Sequence, residues 1–261
     1  GMTKSENTSF NENPYFAKEL LSQGLIDYYI QGEAEKTLPE LLRGNDTYPG
    51  INSDVFAERS EMSEVPFYDF SDHDVRAYHS GYSDGQLPLE SSRGCIRSCS
   101  FCDWPVYAGG FRSKPGDQLF EECVNYYHQH ECTNYYFNDS LINGDLTDFR
   151  QFNRRLVKYY EQNNLPDRTL KYSGMYIVRK PNQWTAQDWA LISRGGADTL
   201  LIGVETGSDR VRKEMAKGFN SADLDFTVQM ASRYKIKLYF LMIVGWPSET
   251  RADFDETLDL L

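Results

Sequence analysis

The chain has no apolar run long enough to cross a membrane, and its N-terminal residues lack the basic, apolar and small-residue succession of a secretory signal. No membrane partner is expected from these residues. Basic side chains are also short: 27 Lys and Arg stand against 39 Asp and Glu, a net charge of -12. A protein that binds by broad phosphate neutralisation needs the opposite balance, so nothing points to nucleic acid. Cysteine is sparse, five in 261 residues, and three of the five fall between Cys95 and Cys102. That distribution gives no disulfide framework and fits a reducing cytoplasm. With 40% hydrophobic and 25% charged residues, a globular core is expected, as one large domain or a domain with a small extension.

The stretch Ser92 to Trp104 organises the rest. It reads Ser-Arg-Gly-Cys-Ile-Arg-Ser-Cys-Ser-Phe-Cys-Asp-Trp and spaces Cys95, Cys99 and Cys102 as C-x3-C-x2-C. On a helix these positions would share a face, but Gly94, Ser98, Ser100 and Pro105 make a loop the better reading. Thiolates hold iron–sulfur clusters and zinc. Three ligands are one short of the four that a cubane cluster or structural zinc takes, so a fourth position stays open for a small molecule.

At these residues the chain resembles the radical S-adenosylmethionine (radical SAM) enzymes, whose CxxxCxxC motif carries an aromatic residue before the last cysteine, here Phe101. The resemblance implies a [4Fe-4S] cluster held by Cys95, Cys99 and Cys102, with S-adenosylmethionine chelating the fourth iron. It implies reductive cleavage of the sulfonium to a 5'-deoxyadenosyl radical that takes a hydrogen from the substrate, and an electron donor such as flavodoxin or ferredoxin. The substrate is not legible: methyl transfer, ring formation, thiolation and epimerisation all stay open. The rival is a zinc-stabilised, non-catalytic binding module on a βα scaffold; a degenerate, inactive relative is a third reading.

Along the chain, residues 1–13 are polar and expected to be disordered, and Gly1-Met2 reads as a tag remnant before a start methionine. Residues 16–21 suggest a short helix, Leu25–Ile30 a short buried strand, and Thr37–Leu42 a helix stopped by Gly44. The run through Asp27 and Gly32-Glu33-Ala34-Glu35 resembles the last strand and helix of the cobalamin-binding domain that precedes one radical SAM subfamily; an ordinary βα unit reads equally well. The Asp-x-His-x-x-Gly cobalamin signature is absent, and His73 and His79 read as surface residues. Residues 14–80 are thus a βα remnant with an extended linker. The radical SAM core runs over 81–261, with the boundary near residue 80.

From Gln86 strands and helices alternate. Strands are predicted at Leu87–Ser92, Asn134–Asn138, Leu170–Val178, Thr199–Val204 and Ile236–Val244, the last buried on both faces. Helices are predicted at Asp117–His130, Phe149–Gln162, Ala186–Ser193, Asp209–Met215, Ala222–Tyr234 and Thr250–Leu261. The fold class is α/β, a partial (βα) barrel of the radical SAM type with about five of six βα units.

Reactive groups of parallel βα folds collect at the carboxyl ends of the strands. Asp139, after the second strand, is suited to an ammonium group or to capping a turn. Ser173 and Arg179, on and after the third, suit a carboxylate or ribose, or are ordinary solvated side chains. The run Gly203-Val204-Glu205-Thr206-Gly207, with Met215-Ala216-Lys217-Gly218, resembles the family's ribose-binding segment. It implies Glu205 on the ribose diol, with Lys217 balancing charge or solvated. Ile243-Val244-Gly245-Trp246-Pro247-Ser248-Glu249-Thr250 resembles the turn whose backbone lies along the adenine, which implies cofactor contacts at Ile243 and Gly245. Glu249 is expected to cap the next helix, and Cys123 and Cys132 to be buried thiols. The stretch from Cys102 through Arg112 is expected to fold over the cluster, with Trp104 shielding the radical or packing in the core. The first and last segments read as cut elements, so the chain is expected to be a fragment lacking a sixth strand. Cobalamin is then a cofactor only of a longer protein.

Overall fold

The computed structural model describes residues 14–75, 85–104 and 110–261. The 1–13 tail, the boundary near residue 80, His79 and residues 105–109 of the expected cover lie outside them. The chain divides into two compact units, Gly1–Pro66 and Phe67–Leu261.

The first unit carries α1 (Pro14–Ser22) and α2 (Thr37–Leu42). The strand expected at Leu25–Ile30 does not form. Ile30 makes only an isolated antiparallel bridge with Ile51, and Leu25 and Tyr28 are exposed. An apolar run becomes a strand where neighbours take its backbone groups. Here the Gly50–Asn52 loop supplies two such bonds, Gln31 N–H to Gly50 O and Asn52 N–H to Tyr29 O, both 3.0 Å. The βα remnant is corrected to two helices joined by loop. Buried apolar side chains of this unit include Ile51, Ala57, Met62 and Val65.

The second unit is built on a five-stranded, all-parallel sheet in the order β1-β4-β5-β6-β7. Its strands are β1 (Leu87–Leu89), β4 (Asn134–Phe137), β5 (Lys171–Met175), β6 (Ala197–Glu205) and β7 (Lys237–Met242). Between them run α3 (Gly116–His130), α4 (Leu146–Gln162), α5 (Ala186–Gly195), α6 (Asp209–Glu214) and α7 (Ser221–Arg233), with α8 (Arg251–Leu260) after β7. Parallel neighbours need such helical crossovers, and the alternation read from the sequence delivers them as a partial (βα) barrel. The predicted first strand is divided in two. After Leu89 the chain turns into β2 (Ser92–Arg93), which pairs antiparallel with β3 (Arg112–Ser113).

The core lies between sheet and helices. Leu89, Phe137, Tyr172, Leu200 and Ile202 face Leu119, Phe152, Leu156, Tyr160 and Trp189, all buried. Aromatic edges interlock there: Phe137 meets Phe152 at 6.0 Å and 90°, and Tyr172 at 5.6 Å and 83°. Asn153, a polar side chain buried there, is satisfied. It accepts from Tyr172 Oη at 2.7 Å and donates to Phe149 O at 2.8 Å. Of the expected extended linker, residues 67–75 belong to this unit. Phe70 lies edge-on to Tyr126 at 5.2 Å, and Tyr126 Oη lies 3.1 Å from Tyr68 O.

β7 differs from expectation. Its apolar run predicted burial on both faces, but it ends the strand order and alternates exposed and half-buried, with Tyr239 61% and Leu241 43% exposed. An apolar run reports which side chains suit a strand, and the position in the sheet decides how many faces are covered.

Candidate active site at the carboxyl ends of the strands

The cysteine loop springs from the β2–β3 ribbon and is irregular, as Gly94 and the serines predict. Among its described residues, Cys102 N–H donates to Cys99 O at 3.1 Å and closes a turn. Ser100 fastens it to the end of α6 through its N–H on Met215 O and its hydroxyl on Glu214 O, each 3.0 Å. Cys95 and Cys99 are half-buried and Cys102 is exposed. All three line one cavity of about 300 Å3, together with Phe101, Glu205 and Lys217. Burial raises the Cys99 thiol above its ordinary value, while the nearby Lys217 ammonium pulls the other way. Among the described residues no three His, Cys, Asp or Glu side chains close on a single metal ion. A cubane asks for a wider set, because each thiolate binds a different iron.

Glu205 ends β6 in a left-handed conformation, φ +70, at a bulge against β7. For a residue other than glycine that backbone is strained and persists only where its surroundings hold it. Here Ile243 N–H donates to Glu205 O at 2.8 Å, and the carboxylate pairs with Lys217 Nζ at 2.8 Å. Any side chain at Gly203 would overlap Glu205 Oε1 and crowd Lys217 Nζ, so glycine makes room for the pair. Lys217 also sits 5.7 Å over the Phe101 ring, and Phe101 meets Trp246 edge-on at 6.1 Å. The lysine that the sequence left between charge balance and solvation balances Glu205.

The other predicted residues fall around this centre. Asp139 is buried off the cavity, where its neighbour Ser140 is part of the wall. Its carboxyl accepts from Ser91 N–H at 2.9 Å and from the Ser91 hydroxyl. Burial pushes its pKa up to about 7 against those hydrogen bonds. Asp139 therefore fastens the chain just ahead of the cysteine loop. Ser173 is buried in β5, opposite Tyr136, and lies outside the cavity lining. Arg179 donates through Nη2 to Asn143 O at 2.5 Å and Gly144 O at 2.6 Å. Ile243 and Gly245 also lie outside the lining. Gly245 N–H is taken by Glu249 at 2.9 Å, so Glu249 closes this turn instead of capping α8. Thr250 and Asp253 form that cap. Trp104 is 46% exposed and lines the cavity, while Cys123 and Cys132 are buried.

Sequence reasoning missed Arg97. It lies between the first two cysteines and lines the cavity, with its Nε buried and without a partner. It also missed the apolar wall from Met175 to Val178 and Phe219. The signal for that wall was its place, at the end of the predicted third strand and just past Gly218.

Residues 89–261 match the sequence profile of the radical SAM superfamily. The chain belongs to that superfamily. Among the relatives it is similar to is the ribosomal protein uS12 methylthiotransferase RimO of Chlorobium chlorochromatii (strain CaD3). The two are 33% identical over 253 residues, which is 94% of this chain and 53% of that protein. A putative methylthiotransferase of Methanocaldococcus jannaschii is 24% identical over 93% of this chain and 54% of its own length. The chain thus spans about half the length of these curated relatives. Among solved structures, the cobalamin-dependent S-adenosylmethionine radical enzyme OxsB superposes with a TM-score of 0.73 at 23% identity, over 95% of this chain and 38% of OxsB. The methyltransferase TsrM of Kitasatospora setae, solved with cobalamin and a [4Fe-4S] cluster, gives 0.71 at 17% identity, over 95% of this chain and 52% of TsrM. These likenesses establish the radical SAM fold. No helix among the described residues is long and apolar enough to cross a membrane.

Proposed function

We propose that the chain is the catalytic core of a radical SAM enzyme that modifies an organic substrate. In this reading Cys95, Cys99 and Cys102 hold a [4Fe-4S] cluster and the same cavity receives S-adenosylmethionine. The observation that carries it is the cavity itself, where three thiols of one loop meet the Glu205–Lys217 pair at the carboxyl ends of the strands. Bound there, the cluster supplies the electron that cleaves the cofactor's sulfonium.

The chain's own residues bind, orient and shelter. Glu205 offers carboxylate oxygens to a cis-diol such as ribose, and Lys217, 2.8 Å away, aims that carboxylate. Phe101, Trp104, Met175 and Phe219 give the cavity apolar walls that exclude water. Asp139 holds Ser91 and so fixes the root of the cysteine loop. Ser173, Ile243 and Gly245 support the site through the strands and the turn that frame it.

The whole protein's reaction belongs to the same proposal. Methylthio transfer and methyl transfer are the named activities of its relatives. Cobalamin enters only with a longer chain, and a small reductant protein such as flavodoxin or ferredoxin supplies the electron.

Anaerobic reconstitution with iron and sulfide tests the reading. A brown protein that releases 5'-deoxyadenosine from S-adenosylmethionine under dithionite supports it, with both properties lost in Cys99→Ala and kept in Cys123→Ala. A colourless protein that retains stoichiometric zinc supports the zinc-stabilised module instead. A cluster without 5'-deoxyadenosine supports the inactive relative.

A further inference from the structure

We propose that Arg97 is the counter-charge of the cluster held by Cys95, Cys99 and Cys102, and that it sets the cluster's reduction potential. The inference rests on the cluster reading above and adds to it a residue outside the cysteine motif.

The cations around the cavity are almost all accounted for. Lys217 is paired with Glu205, Arg93 with Glu90, and Arg210 with Asp253 and Glu214. Arg179 spends its Nη2 on two carbonyls. Arg97 lines the cavity and makes no ion pair among the described residues, and its Nε is buried without a hydrogen-bond partner. The guanidinium lies close to Gly218. Any side chain at Gly218, where φ is +72, would overlap Arg97 Nη1, so the glycine lets the guanidinium lie against the backbone of the Lys217-Gly218 turn. Its own backbone N–H points at Cys95 Sγ, 3.4 Å away. It also acts on its surroundings, since together with burial it lowers the pKa of Arg179.

A half-buried guanidinium without an anion is costly and is kept where an anion arrives. Three thiolates bring that anion into the cavity wall, and each electron added to the group they hold makes it more negative. A cation alongside, with a backbone N–H directed at a ligand sulfur, favours the reduced state. Arg97 thereby eases loading of the electron that the reductive step consumes.

The test reads the cluster before S-adenosylmethionine is added. The full chain is reconstituted anaerobically and titrated with dithionite in the presence of mediator dyes, and the reduced cluster is followed by electron paramagnetic resonance. Arg97→Gln should shift the reduction equilibrium at least about tenfold toward the oxidised form, which for a one-electron couple is a midpoint about 59 mV more negative. Arg97→Lys, which keeps the charge, should stay near the parent value. Lys158→Gln, an exposed charge on α4, should not move it. If Arg97→Gln loses iron while Arg97→Lys keeps both iron and potential, the charge role stands. Loss of iron in both variants overturns it, as does an unchanged potential in Arg97→Gln. An unchanged potential with weakened S-adenosylmethionine binding by calorimetry also overturns it, because Arg97 would then hold the cofactor's carboxylate. If the parent chain takes up no cluster at all, the proposed function falls with it.

Discussion

At the scale of single residues, the site is built by pairing charges before any ligand arrives. The Gly-x-Glu-Thr-Gly setting marks Glu205 as a ribose candidate, with Lys217 as its counter-charge or solvated, and the structure pairs the two. The two are twelve positions apart and meet where a bulge interrupts the β6–β7 register. Glu205→Gln should weaken S-adenosylmethionine binding by about 1.5–3 kcal/mol, the worth of hydrogen bonds to a charged group. The cluster should be retained, and titration calorimetry with an iron assay reads both; unchanged affinity would take Glu205 out of the site. Asp139 shows the opposite limit of sequence reading. Its place after a strand made it a ligand candidate, and burial beside Ser91 makes it a clasp. Because burial lifts its folded pKa to about 7, above the ordinary 3.8, the fold favours the protonated form, and Glu90 adds to the lift. That stabilisation is complete at acid pH below the unfolded value and is lost as pH rises through about 7. Unfolding by urea should therefore show stability falling by about 1 kcal/mol between about pH 6 and pH 8. Asp139→Asn should flatten that slope, and an identical slope in the variant would assign it to other groups.

At the scale of elements, the sequence was read best where local rules suffice. Thr185 with Asp188, Asn220 with Asp223 and Thr250 with Asp253 are capping boxes that start α5, α7 and α8. Helix edges accordingly fell within a few residues of expectation. Elements decided by distant partners were misread: Leu25–Ile30 found no neighbouring strand, and the β2–β3 ribbon needed Arg112 to reach Arg93 across the cysteine loop. The root of that ribbon depends on a buried pair that no pattern announced. Lys114, next after β3, and Glu122 of α3 meet at 2.6 Å with both side chains almost fully enclosed, and Tyr126 Oη donates to the same carboxylate at 2.8 Å. Lys114 N–H also donates to Ser91 O at 2.7 Å, which joins this pair to the cysteine loop. Breaking a buried pair from one side leaves a charge uncompensated. Glu122→Gln should cost about 3–5 kcal/mol in urea unfolding, whereas replacing Lys114 and Glu122 together by Met and Leu should cost far less. Equal losses in the single and double variants would show that packing, and not charge, fixes this corner.

At the scale of the whole molecule, charge and exposed apolar surface pull in opposite directions. A net charge of -12 on 261 residues repels copies of the chain from one another. β7 does the reverse. Among the described residues it pairs on one edge only, with β6, and it exposes Tyr239 at 61% and Val244, just past its end, at 69%. A long, apolar strand open on one edge is a template for pairing with another chain unless a charge interrupts it. The only charged side chain within β7 is Lys237, at its first position. Self-association should therefore be weak in dilute buffer. It should grow with protein concentration and grow further with salt, since salt screens the repulsion and leaves the apolar contact intact. Tyr239→Glu adds a negative charge at the centre of the open strand and should return the chain to monomer under the same conditions. Sedimentation velocity at low and high ionic strength measures both effects. A parent chain that stays monomeric at every concentration and salt would mean that the β7 edge is silent, and association that rises with salt equally in Tyr239→Glu would place the contact elsewhere.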